Sequence, residues 1–262
     1  MYKLDKDLVF SNLTKNHIGR KLIILEEVDS TNDYAMKLVN EKYVSGSVVI
    51  ADIQYAGKGR LERKWHSPRG LNLYMSFILS PRIKAAEVNI LTFISSIATV
   101  DTLAKYSIQS EIKWPNDVLI NAKKVSGVLT EINMVKNKLE HVVAGIGVNL
   151  NMDSDALLSS GLSEIATSVY IENGKPVNRN EFLITLLNNL DVFYDNFMKL
   201  GKEYIYNQWS SRWYSRDKPV RVVMDNEQFD AICKGLDKEG FMIVQRDSGQ
   251  TVKIVSADVS PL

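Results

Sequence analysis

The chain reads as an α+β protein: a mixed β-sheet with helices packed on one face, followed by a small all-β module. Three observations predict this. Short runs of strand formers alternate with longer stretches whose apolar residues recur at helical spacing. The chain shows no internal repeat and no low-complexity tract. After Trp213 the helical spacing stops, and short strands then alternate with turns rich in Asp, Asn and Gly.

Each element follows from local chemistry. Ile23-Ile24-Leu25 is a strand former run. Ser30 or Thr31 then caps a helix expected to reach about residue 40. Ser47-Val48-Val49-Ile50-Ala51 is a buried strand that runs into a glycine-containing loop, and 71–79 is the return strand. Residues 87–105 place Ile90, Leu91, Ile94, Ile97, Ala98 and Leu103 on one helical face and predict a long core helix. A strand over 108–114 stops at Pro115. Val118-Leu119-Ile120, a turn at Asn121-Ala122 and 125–132 form a hairpin, and 141–150 is a buried strand containing Gly145 and Gly147. Residues 151–170 are polar and Ser-rich and predict a loop with a short helix. Helices are expected over 179–200 and 203–213. The strands of the last module are 220–224, 228–233, 241–244 and 252–255, with turns at Asp225-Asn226, 237–240 and 247–249. The domains are therefore 1–215 and 216–262. The second is too small to be comfortably stable alone and is expected to dock on the first.

Bulk properties exclude several functions. Of 262 residues, 45% are hydrophobic and 24% charged, so the chain has the composition of a soluble globular protein. A net charge of +1 provides no global field for nucleic acid or an anionic membrane. Cys233 is the only cysteine, which excludes an internal disulfide and a cysteine zinc site and fits a reducing, cytoplasmic setting. The start of the chain is too acidic and polar for a signal peptide, and no apolar run approaches a membrane span. His17, His66 and His141 are scattered without metal-ligand spacing.

Two segments carry the chemistry. The first is Gly57-Lys58-Gly59-Arg60-Leu61-Glu62-Arg63-Lys64-Trp65-His66-Ser67-Pro68. Between Gly57 and Gly70 five cations stand against Glu62 alone. Glycines let the backbone approach a ligand, arginines offer bidentate donors to phosphate or carboxylate, and Trp65 supplies a stacking face. The loop is not a Walker motif, since no Gly-Lys-Ser/Thr ends it. Nor is it a dinucleotide fingerprint, since a strand follows it. The second segment is Lys113-Trp114-Pro115-Asn116-Asp117, followed by Lys123-Lys124-Val125-Ser126-Gly127. Together they suit an enzyme that activates a carboxylic acid with ATP. Read alone, each piece also has a plain structural meaning: a solvated basic hairpin, a turn pair at Lys123-Lys124, and a cap at Asp117.

With Asp29-Ser30-Thr31-Asn32 upstream, this set resembles the biotin protein ligase family. The likeness continues through Gly145-Ile146-Gly147-Val148-Asn149-Leu150-Asn151, through Ala166-Thr167-Ser168, and into the last module at Pro219 and 235–240, where the family has an SH3-like barrel. The resemblance implies that biotin and ATP give biotinyl-5′-AMP and pyrophosphate. The biotinyl group then passes to a lysine of a biotin carboxyl carrier protein, as in acetyl-CoA carboxylase or another biotin-dependent carboxylase. It implies biotin contacts from Ser30, Thr31, Asn32, Gln54, Gly57, Lys58, Arg60, Lys124, Gly127, Gly145 and Gly147. It implies ATP or adenylate contacts from Lys58, Arg60, Arg63, Trp65, Asn116, Lys124 and Asn149. Lys124, Arg60 and Asp117 are the implied catalytic residues: charge stabilisation, adenylate clamping and orientation of the acceptor lysine. Mg²⁺ is implied with ATP, and no protein ligand is assigned to it.

Two departures stand out. Lys58 replaces the family's first loop arginine, and Glu62 stands where glycine is common, so a positive φ there would be strained. The loop is expected to be mobile when empty and to close on an anionic adenylate, with 151–168 ordering over the adenine. The pattern begins near residue 20, which leaves no room for the DNA-binding winged helix of some relatives. A monofunctional ligase without nucleic-acid or membrane partners is expected, as is a homodimer. A lipoate or octanoate ligase or transferase is the nearest alternative, and a non-catalytic biotin sensor the other.

Overall fold

The coordinates are a computed structural model that describes residues 3–40, 45–224 and 227–262. The Asp225-Asn226 turn and the first two residues of the chain lie outside the described residues.

The first module is built on a seven-stranded sheet: β1 (Lys21–Leu25), β2 (Ser47–Ala51), β3 (Leu73–Leu79), β4 (Glu111–Lys113), β5 (Asp117–Ile120), β6 (Lys123–Val135) and β7 (Lys138–Val148), in the order β1-β2-β3-β7-β6-β5-β4. β1 and β2 are parallel and every other pair is antiparallel, so the sheet is mixed. Helices α1 (Lys6–Ser11), α2 (Thr31–Asn40), α3 (Asn89–Ala104), α4 (Ser154–Ser159), α5 (Val169–Asn173), α6 (Arg179–Leu200) and α7 (Lys202–Ser210) surround it. The expected N-terminal cap is present: the Ser30 hydroxyl accepts from Asp33 N–H at 3.4 Å. The β5–β6 turn places Asn121 and Ala122 at φ 49° and 64°, the paired positive values of a two-residue hairpin turn. Residues 108–110 stay outside β4, which is only three residues long.

The main core lies under α3, α6 and α7, packed on one face, as the periodicity predicts. Val48, Ile50, Phe77, Leu79, Val142 and Ala144 point there. The alternate residues Val49, Ile78 and Val143 face the other way and meet Ala35, Leu38 and Val39 of α2. One helix therefore covers part of the second face, a departure from helices on one face only. The cause is connectivity: α2 is the crossover between two parallel strands and must pass over the sheet. The second face beyond the start of α2 is left open, and the cleft described below lies there.

α3 corrects one expectation about membranes. Residues Ala85–Ala104 are long and apolar enough to span one by composition, with a mean hydropathy of 1.2. However, 78% of that window is buried inside the protein. A helix sandwiched between a sheet and two further helices needs apolar residues nearly all round. The hydroxyls of Ser95, Ser96, Thr99 and Thr102 each donate to the carbonyl four residues back, at 2.7–2.9 Å, so these four buried hydroxyls of α3 are satisfied within the helix.

The second module is a five-stranded antiparallel sheet of β8 (Pro219–Met224), β9 (Glu227–Leu236), β10 (Met242–Arg246), β11 (Thr251–Ile254) and β12 (Asp258–Pro261), ordered β11-β10-β9-β8-β12. β12 is a strand the pattern did not reveal: it alternates over only four residues and ends in proline. The module docks as expected. Its turn at Gly240, with φ 82°, lies against Phe93 and Tyr206, and the Gly240 carbonyl accepts from Trp114 Nε1 at 3.5 Å.

Candidate active site

The open part of the second sheet face holds a cleft of about 670 Å³, roofed by the loop between β2 and β3. It has two chemically different ends.

The first end is built from amides and hydroxyls, with one carboxylate, Glu131, at its margin. Ser76 stands in the middle of β3, where all seven residues are buried. Its hydroxyl lies 2.7 Å from Thr31 Oγ1 and 2.6 Å from Asn32 Oδ1. Thr31 donates through its backbone N–H and its hydroxyl to Gln54 Oε1, at 2.9 and 3.1 Å. Gln54 Nε2 donates to Ser67 Oγ at 3.0 Å, and Ser67 Oγ donates to the Trp65 carbonyl. Asn32 Nδ2 donates to Glu131 Oε2 at 2.7 Å and to the Leu129 carbonyl. Ser30, Thr31 and Asn32 are all buried because they form the first turn of α2, which starts on the sheet face.

Glycines keep this end narrow. A Cβ on Gly145 would meet Asn32 Oδ1 at 2.1 Å, and one on Gly147 would meet the Trp65 indole at 2.4 Å. A Cβ on Gly127 would meet Lys124 Cε at 2.9 Å and the same indole at 3.0 Å. The three glycines are thus close-approach sites where a side chain has no room. Gly57 does not line the cleft; it lies behind it, where a Cβ would strike the Trp65 carbonyl at 2.6 Å.

The second end is cationic. The loop folds back on itself through Trp65 N–H to Gly57 O at 2.8 Å and Gly59 N–H to Arg63 O at 2.7 Å. At its tip Leu61 and Glu62 have φ 54° and 59°, so Glu62 takes the left-handed conformation that glycine adopts freely. Lys58 Nζ pairs with Asp33 in the first turn of α2 at 2.6 Å, which raises the Lys58 pKa. Arg60 donates to Asn116 Oδ1 at 3.1 Å and to Ser256 Oγ at 3.4 Å. Asn116 is oriented by its own bond to the Val128 carbonyl at 2.8 Å. Burial lowers the Arg60 pKa, while Asp117 and Asp258 counter it. Arg63 forms a fork with both oxygens of Asp258, which raises the arginine and holds the carboxyl below its usual range.

Lys124 sits between the two ends. Its ammonium lies 2.7 Å from Asp117 and 5.2 Å from the centre of the Trp65 ring. Its backbone pairs with the 165–167 segment, through its N–H to Ile165 O and its carbonyl to Thr167 N–H, both at 2.9 Å. Asn149 is anchored to the same segment by Nδ2 to Thr167 O at 3.0 Å. The cleft is therefore lined by Ser30, Thr31, Asn32, Gln54, Lys58 and Arg60, then by Arg63, Trp65, Asn116, Asp117 and Lys124, and by Gly127, Gly145, Gly147 and Asn149. Sequence reasoning missed Ser76, Glu131, Ser256 and Asp258. A serine inside an otherwise apolar strand was a readable signal for Ser76. Nothing local marked the other three.

The arrangement is that of an acid-activating ligase: a slot for a neutral, hydrogen-bonding head, a lysine at its exit, and a cationic loop beyond. The comparisons agree. Residues 24–149 match the biotin/lipoate A/B protein ligase family, and 217–260 match the biotin protein ligase C-terminal domain. The bifunctional ligase/repressor BirA of Bacillus spizizenii is 34% identical over 98% of this chain and 79% of its own length. The biotin–[acetyl-CoA-carboxylase] ligase of Paracoccus denitrificans is 33% identical over 90% of this chain and 98% of its own. The structure of Aquifex aeolicus biotin protein ligase in complex with biotin and ATP superposes with a TM-score of 0.77 at 30% identity, covering 92% of this chain and 98% of that one. The chain belongs to the biotin protein ligase family.

Proposed function

We propose that this ligase makes biotinyl-5′-AMP in the cleft and transfers the biotinyl group to a lysine of a biotin carboxyl carrier domain. A biotin carboxylate oxygen attacks the α-phosphorus of ATP, the bond to the β-phosphate oxygen breaks, and pyrophosphate leaves. The acceptor amine then attacks the acyl carbon, loses a proton, and AMP leaves. The observation that carries this reading is the junction at Lys124, where a neutral slot meets a cationic loop.

In this reading the Thr31–Gln54–Ser76 network holds the ureido head, and the aliphatic tail runs along Gly127 and Gly147 once the Trp65 indole that packs on them moves out to the base. Lys124 leaves Asp117 to neutralise the carboxylate and α-phosphate as charge develops. Asp117, released from that pair, orients the incoming amine or accepts its proton. Arg60 and Arg63 exchange their protein partners for phosphates, Trp65 stacks on the base, and Asn116 and Asn149 position the nucleotide. Mg²⁺ would enter with the phosphates of ATP and neutralise their charge.

We divide the chain into a catalytic domain, 1–215, and an SH3-like module, 216–262. We also read the enzyme as cytoplasmic and homodimeric. The buried, unpaired Cys233 supports the first, and exposed Ile132, Met134 and Val135 on β6 support the second.

The test is pyrophosphate release from purified protein with MgATP and either biotin or lipoate, followed by a streptavidin blot of a carrier domain. Release with biotin alone and label on the carrier is the expected result. Release with lipoate would move the protein to the sister activity, and biotin binding without release would make it a sensor.

A further inference from the structure

Arg179 is the first residue of α6, far from the cleft in sequence and absent from its walls. It is 1% exposed. Its Nη1 donates to Asp52 Oδ1 at 2.6 Å and to the Gly70 carbonyl at 3.2 Å. Asp52 and Gly70 are the two roots of the loop that carries Gln54, Lys58, Arg60, Arg63 and Trp65. They are joined directly by Gly70 N–H to Asp52 O at 3.0 Å. One arginine nitrogen therefore ties the outgoing and returning stems of the catalytic loop to the long helix. Tyr74 reinforces the returning stem by donating to the Pro68 carbonyl at 2.9 Å.

Helix or core stability does not explain this residue. A cation at the start of a helix opposes the helix dipole. Among the described residues no acceptor reaches Nε or Nη2, and both are sealed from solvent. A buried guanidinium with two idle nitrogens is a costly way to fill space, and apolar replacements of buried ion pairs are often neutral or stabilising. What the arginine supplies is geometry at the loop roots.

We infer that Arg179 is a positioning residue for the ATP-binding step: by clamping Asp52 and Gly70 it sets the angle at which Arg60, Arg63 and Trp65 are presented over Lys124. This rests on the ligase reading above. Biotin binding depends on it less, because Gln54 and Thr31 hold each other directly.

The test compares wild type, Arg179→Met, Arg179→Lys and Asp52→Asn. Each is read by the KM for ATP in biotin-dependent pyrophosphate release, by biotin affinity without ATP, and by the rate of tryptic cleavage between residues 58 and 64. Arg179→Met is expected to fold, to raise the KM for ATP at least tenfold, to speed loop cleavage at least fivefold and to change biotin affinity less than threefold. Arg179→Lys keeps the charge but not the two-way bridge and falls between. Asp52→Asn has a smaller effect, and adding it to Arg179→Met makes nothing worse, as expected of one shared contact. A folded Arg179→Met with wild-type KM and cleavage rate overturns the inference. Should it not fold, wild-type behaviour of both Arg179→Lys and Asp52→Asn does so. A wild type that releases no pyrophosphate would instead sink the ligase reading, and the cleavage rates would still judge the clamp.

Discussion

The two ends of the cleft are held in place by opposite means. The neutral end is a closed network: Ser76 on β3 and Thr31 and Asn32 at the start of α2 are held by the core, and Thr31 ties in Gln54 and Ser67 at the base of the loop. The cationic end is a loop whose charged side chains are tied to carboxylates, Lys58 to Asp33 and Arg63 to Asp258, half-exposed pairs that contribute little stability. A head group that must be distinguished from its analogues by hydrogen bonds needs donors fixed in advance. A polyphosphate needs cations that can be exchanged cheaply between partners. The contrast between preorganised and exchangeable groups is the design of the site.

The strongest way to break this comparison is at the junction. Lys124→Ala removes the cation placed between the ends, and a fall of about 10²–10³ in the rate of pyrophosphate release is expected. Biotin binding, measured separately by calorimetry, should be much less affected. If both fell equally, Lys124 would belong to the neutral end.

Gly147→Ala comes next. The new methyl would meet the Trp65 indole at 2.4 Å, so the ring must move. Overpacking of this kind costs about 1–3 kcal/mol, and the ATP-dependent step should slow by about tenfold or more. Fluorescence of the displaced indole reports the shift independently.

Ser76→Ala sharpens the comparison from the neutral side. It removes the hydroxyl shared by Thr31 and Asn32 without opening the cleft. A cost of about 1–2 kcal/mol, near tenfold, should appear in biotin affinity, while the KM for ATP stays within about twofold. An effect on ATP alone would show that the two ends are not separable.

The smallest effect is expected at Asp258. Arg63 holds this carboxyl below its ordinary pKa, so the pair adds stability above the unfolded value, near ~3.9, and that contribution is lost as pH falls through the lower folded value. Asp258→Asn should cost under about 1 kcal/mol at neutral pH and flatten the acid limb of the melting curve. The KM for ATP should fall slightly, because Arg63 no longer has a carboxylate to leave.

Much of the site was legible before the fold was known. The run from Gly57 to Trp65 announced a cationic loop, because that function depends on residue type at short spacing, whereas Gly127, Gly145 and Gly147 were placed beside the ligand only by the family resemblance. Glu62 was flagged as a poor fit for a positive φ, and its φ is 59°. Less was legible wherever the partner is remote in sequence. Asp258 meets Arg63 across 195 residues, and Arg179 meets Asp52 across 127. No local pattern encodes such pairs.

The sequence by itself determined the class of fold, nearly every element, the small second module and the two motif segments. It could do so because apolar periodicity, caps and turn residues act over a few positions. Only the tertiary structure decided that α2 crosses to the second sheet face and leaves the rest of that face open as a cleft. It alone decided that Ser76 organises the neutral end, that the last strand supplies a counter-ion, and that α6 clamps the loop. These depend on which face each strand residue points to and on where remote segments come to rest, and that is settled by burial of the whole core rather than by any one stretch of chain.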